Sequence, residues 1–135
     1  MKALPVKLIF IILFLVVISP SLSSAGDEKK GVVYLPPPPA RLIAPRSGEV
    51  INEPISAKEF VWSIVAPAVK YHLEVSPDRK FYRIIREDYP EVNRYVFKNM
   101  PEGTYFWRVS SIDERGMEGR FSPIQYFVYP RSRLN

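Results

Sequence analysis

The 135-residue chain contains no cysteine and a single histidine. Without cysteine there is no disulfide staple, no thiolate nucleophile, no lipid-modified N-terminal cysteine and no Cys-ligated metal site. Gly-rich phosphate loops and a GxSxG elbow are absent too, and with them the commonest routes to phosphoryl and acyl chemistry. The lone histidine, His72, stands beside Glu74 in an alternating run, where it reads as an outward, solvated cross-strand residue rather than a catalyst. One histidine makes a zinc site only if carboxylates fill the shell. The carboxylate pairs Glu87-Asp88 and Asp113-Glu114 are expected in loops, and each offers fewer oxygens than the roughly six or more that calcium takes. No catalytic residue, cofactor-binding residue or metal ligand is therefore assigned.

Long apolar runs are scarce as well. The one at the N-terminus, Leu8 to Ile18, follows Lys2 and Lys7 and ends at Ser19-Pro20, with Ser23-Ser24-Ala25 beyond it. That order of charged, apolar and small residues is a signal-peptide pattern, and the run is shorter than the about 20 residues a spanning helix needs. The expected division is residues 1–25 as signal peptide, 26–39 as a charged and Pro-rich linker, 40–130 as a folded domain and 131–135 as a tail. The expected location is secreted, periplasmic or in the cell envelope, the alternative being a membrane anchor formed by an uncleaved N-terminal segment. Of the formal charge of +5, Lys2 and Lys7 account for two, leaving +3. Such a charge favours anionic surfaces modestly and is too small to indicate nucleic-acid binding.

Within the linker, Pro36 to Pro39 cannot join a sheet ladder and favour an extended rod, so the segment reads as a spacer. From Ala40 onward, short runs alternate apolar and polar residues between turn signals, with no convincing helix. Leu42 and Ile43 lead to a break at Pro45-Arg46-Ser47-Gly48, after which Val50 and Ile51 resume the first strand. Phe60 and Trp62 share a face of the second strand, as do Tyr71, Leu73 and Val75 of the third. Ser76-Pro77-Asp78 makes a turn, Phe81 re-enters the core, and Tyr82 to Arg86 form a short strand that Glu87 to Pro90 interrupt. Tyr95 and Phe97 alternate again, and Pro101-Glu102-Gly103 turns into the most regular strand, with Tyr105, Trp107 and Val109 inward. A charged loop, Asp113 to Arg120, precedes the last strand, Pro123 to Val128.

Taken in order, Pro45 and Gly48, Phe60-Val61-Trp62, Tyr71 to Ser76, Asp78 with Phe81, Pro101 to Val109, and Ser122-Pro123 make the stretch Ala40 to Tyr129 resemble a fibronectin type III domain of the kind found in bacterial envelope and extracellular proteins. The resemblance implies an all-β, immunoglobulin-like, two-sheet antiparallel sandwich of about seven strands. It makes Trp62 the buried strand B tryptophan and Tyr105 the tyrosine corner, whose hydroxyl bonds upstream backbone. The family's usual leucine before the corner is Met100 here. The last loop reads Asp113-Glu114-Arg115-Gly116 rather than Arg-Gly-Asp, so no integrin-type adhesion carries over.

A sandwich is a scaffold, and its function sits in surface patches. If Tyr105 and Trp107 point inward, Phe106 points outward; the last strand is apolar on both faces, and the resemblance implies Phe127 inward, which places Tyr126, with Tyr82 nearby, beside Phe106. Arg79, Lys80, Arg83, Arg86, Arg94 and Lys98 concentrate around the middle strands. The candidate contact surface is thus Phe106, Tyr126, Tyr82 and Arg83, with Arg115 and Met117 from the end loop. The function expected is that of a non-catalytic module for an envelope or extracellular protein partner, engaged by a sheet face, an edge or end loops. The alternative is a cell-wall polysaccharide stacked on exposed rings. Neither a cofactor nor a nucleic acid is implied.

Overall fold

The computed structural model describes residues 31–52 and 57–130. The predicted signal peptide, the start of the linker and the tail at 131–135 lie outside the described residues. The compact unit that carries both sheets begins at Val33.

Two sheets face one another. The three-stranded sheet has the order β1 (Leu42–Ala44), β3 (Ala57–Trp62), β6 (Arg94–Lys98), all antiparallel. The five-stranded sheet has the order β2 (Glu49–Val50), β8 (Gln125–Tyr129), β7 (Gly103–Asp113), β4 (Ala68–Ser76), β5 (Arg86–Asp88). The predicted sandwich is present, with one addition. What the sequence suggests as a single interrupted first strand is divided between the sheets: β1 pairs with β3, and β2 pairs in parallel with β8. The division falls at the Pro45 to Gly48 turn. Gly48 has φ of 79°, donates its N–H to the Tyr126 carbonyl at 2.9 Å, and a Cβ there would lie 3.4 Å from the Tyr126 hydroxyl. A residue with no side chain lets the chain cross from one sheet to the other at that point.

The interior forms as the period of two dictates. Tyr71, Leu73 and Val75 of β4 meet Tyr105, Trp107 and Val109 of β7, and Phe60 and Trp62 close the layer from β3. Edge-to-face rings bind it: Phe60 and Trp107 at 5.1 Å, Phe60 and Phe127 at 5.7 Å, Trp62 and Tyr71 at 5.4 Å. Met100 is buried where the family pattern has leucine. Tyr105 donates its hydroxyl to the Pro101 carbonyl at 2.7 Å, which is the corner expected, and burial pushes its phenol pKa up.

The segment after β4 departs from expectation. The short strand expected from Tyr82 to Arg86 is absent over residues 82–85; β5 begins at Arg86 and includes Glu87 and Asp88, which the sequence suggests as loop. The cause is Asp78. Its carboxylate accepts the N–H groups of Lys80, Tyr82 and Arg83 at 2.9, 3.3 and 3.1 Å, and the Ser76 hydroxyl donates to the Arg83 carbonyl at 2.7 Å. Backbone groups captured this way are not free for a ladder. The same turn holds Phe81 at φ of 58° and turns its ring to the outer side of the sheet. Phe81 is buried as expected, but beneath Arg108 and not in the inter-sheet core.

Candidate interaction surfaces

Outward residues of β4 and β7 lie in register, with His72 opposite Ser110, Glu74 opposite Arg108 and Ser76 opposite Phe106; β8 adds Tyr126 opposite Phe106. His72 is on the outer face, yet it is not solvated: it is only 7% exposed. Tyr89 stacks on its ring at 4.4 Å and Phe121 lies at 5.2 Å. Nδ1 stands 2.7 Å from Glu118 Oε1 and Nε2 stands 2.9 Å from Glu87 Oε1. The expectation of a solvated histidine fails because residues from outside the two strands fold over it. Burial pushes the Glu118 carboxyl up, but hydrogen bonds from Ser110 and His72 outweigh that and hold it below its ordinary value.

Next to His72, the guanidinium of Arg108 is clamped between the rings of Phe81 and Phe121, 4.1 Å from each, and its Nε donates to Glu74 Oε2 at 2.6 Å. Tyr89, His72, Phe121, Arg108 and Phe81 thus form one continuous stack across the outer face.

The residues named from sequence separate into four places. Phe106 and Tyr126 do come together, at 6.0 Å and tilted by 37°, with Tyr126 exposed and Phe106 half-buried. Tyr82 is elsewhere, at the tip of the Asp78 turn, where Lys80 covers its ring at 5.7 Å. Arg115 and Met117 belong to the β7–β8 loop, which Asp113 organises by accepting both of their N–H groups at 2.9 Å. That loop also meets the Pro-rich segment. Arg115 lies 3.4 Å over the Tyr34 ring, Pro37 is buried, and a Cβ at Gly119 would collide with the Pro37 carbonyl.

Arg83 lines a different feature, a cleft of about 700 Å³ where edge strand β5 of one sheet approaches edge strand β6 of the other, above the tyrosine corner. Arg83, Arg86 and Lys98 line it, with Glu102 the one acidic residue among the described residues of its lining. Arg86 rests its guanidinium 4.7 Å from the Phe97 ring, and its Nε, shielded from solvent, has no hydrogen-bond acceptor among the described residues. Sequence reasoning placed these cations in one stretch but could not bring Lys98 to Arg83, since that depends on how the two sheet edges meet.

No protein-family model and no curated protein matches this sequence. Solved structures match it in fold. The fibronectin type III domain of human fibronectin type III domain containing protein 3 is 18% identical, with a TM-score of 0.55 over 76% of this chain and 95% of that one. An Fn3-like protein from Clostridium thermocellum is also 18% identical, with a TM-score of 0.50 over 70% and 92%. Within a beta-1,2-glucanase from Parabacteroides distasonis, 14% of that chain matches 73% of this one at 16% identity and a TM-score of 0.52. The fold is that of a fibronectin type III domain.

Proposed function

We propose that the chain is a non-catalytic, extracytoplasmic interaction module whose protein partner places an acidic segment in the cleft between β5 and β6. The extracytoplasmic location rests on the N-terminal sequence pattern; among the described residues no helix is long and apolar enough to cross a membrane. The observation that carries the reading is the charge of the cleft lining. Arg83, Arg86 and Lys98 meet there with Glu102 the one acidic residue of the described lining, and a partner carboxylate entering the cleft would accept charge-assisted hydrogen bonds from these cations.

The alternative, wall polysaccharide on Phe106 and Tyr126, has less behind it, since the two rings are tilted and offer no flat platform. Cross-linking pull-down from native envelope separates the two. Enrichment of one protein, lost as salt rises, supports the cleft reading; retention on wall polysaccharide with no protein enriched supports the alternative.

A further inference from the structure

Three carboxylates, Glu74, Glu87 and Glu118, converge on His72, and among the described residues the guanidinium of Arg108 is the one permanent cation paired with them. We propose that His72 Nε2, Glu74 Oε1 and Glu87 Oε1 form a binding site for a first-row divalent metal ion of the Zn²⁺ class. Nε2 lies 3.7 Å from the Glu74 oxygen and 2.9 Å from the Glu87 oxygen, and all three ligand atoms fall within 4.8 Å of one another. Bonds of about 2.0–2.2 Å in tetrahedral geometry separate ligand atoms by about 3.3–3.6 Å, between the two distances found here. Small side-chain shifts bring the set to an ion.

The surroundings match what a metal-binding imidazole requires. Nδ1 faces the Glu118 carboxylate, which also accepts the Ser110 hydroxyl, so the ring is aimed with Nε2 toward the other two carboxylates. Stacking by Tyr89 holds the ring plane. Glu74 has its second oxygen occupied by Arg108, leaving Oε1 as the ligand atom. Charge gives an independent reason. Two of the three ligands are buried, and three carboxylates against one guanidinium leave an excess of negative charge on a covered face. A dication bound to neutral imidazole cancels the excess. Glu87, with its side chain 49% exposed on edge strand β5, supplies the entry path and the open side for a water ligand. An N,O,O donor set favours Zn²⁺ over Ca²⁺ or Mg²⁺, which prefer all-oxygen shells.

Because His72 is the only histidine, its ring nitrogens give one unambiguous pair of ¹⁵N resonances in the purified full chain. Titration with ZnCl₂ should move Nε2 into the metal-bound range at one equivalent while Nδ1 keeps its proton, and MgCl₂ should move neither. Glu87→Gln, at a half-exposed position, should preserve the unfolding midpoint and weaken zinc binding by about tenfold or more. Unmoved His72 resonances at millimolar zinc, or equal zinc affinity in Glu87→Gln, would overturn the site.

Discussion

The two faces of the β4–β7 pair are both buried, by different means. On the inner face, Leu73, Val75, Trp107 and Val109 are sealed by an opposing sheet. On the outer face no sheet is present among the described residues, yet His72, Glu74, Ser76 and Ser110 are buried too. There the cover is piecemeal: Tyr89, Phe121 and Phe81 from loops, Arg108 laid flat between two rings, and carboxylates closing on each polar atom. Alternation therefore gives the face a residue points to, not whether water reaches it. The inner face is stabilised by area and shape, the outer by pairing, so the two should fail differently.

The largest effect belongs inside. Trp107→Ala should cost about 3–5 kcal/mol in urea unfolding, the cost of emptying a fully buried ring site. A neutral result would mean the strand faces the other way. On the outer face, Arg108→Ala should cost about 2 kcal/mol, since Glu74 is left buried without its charged donor and two rings lose their filling. Arg108→Lys should recover only part of that, because an ammonium cannot stack between two rings as the planar guanidinium does. Recovery of full stability by lysine would show that charge alone holds the face.

A smaller effect should follow Gly119→Ala. The added methyl meets the Pro37 backbone, so the Pro-rich segment must lift. Faster proteolysis within residues 33–39, with the unfolding midpoint of the sandwich little changed, is the expected result. Smallest is the effect of acid on Glu49, whose carboxyl is pushed up by burial and, more strongly, held down by Lys58 and the Arg46 N–H. Its folded pKa is thus below the ordinary 4.5, so its contribution is present above that value and is lost as pH falls through the lowered one. Half-exposed pairs of this kind contribute under about 1 kcal/mol. Glu49→Gln should remove that slope from the acid limb of a pH-stability profile.

How far the sequence could be read follows the same division. Inward positions were legible where a strand has a clear period of two: Trp62, Tyr105 and Trp107 are where the alternation puts them, with Phe106 on the opposite face. The last strand is apolar on both faces, and there the family resemblance placed Phe127 inward and Tyr126 beside Phe106. What was not legible depends on local chemistry that competes with alternation, or on contacts remote in sequence. Asp78 takes three backbone N–H groups and so delays β5 to Arg86. Glu118 reaches His72 from 46 residues away, and nothing in the spacing of either announces it. The His72-Glu74 alternation was visible, but Glu87, expected in a loop, comes beside it only because β5 pairs with β4. The cleft likewise needs Lys98 of β6 and Arg86 of β5 on edges of different sheets.

The most direct measurement of the functional reading compares two paired variants in one cross-linking pull-down from native envelope: Arg83→Glu with Lys98→Glu, and Phe106→Ala with Tyr126→Ala. All four side chains are exposed or half-buried, so both proteins should remain folded. Loss of the captured protein in the charge-reversed variant, with capture intact in the aromatic one, is the result the cleft predicts. Capture that survives charge reversal and vanishes with Phe106 and Tyr126 would contradict it.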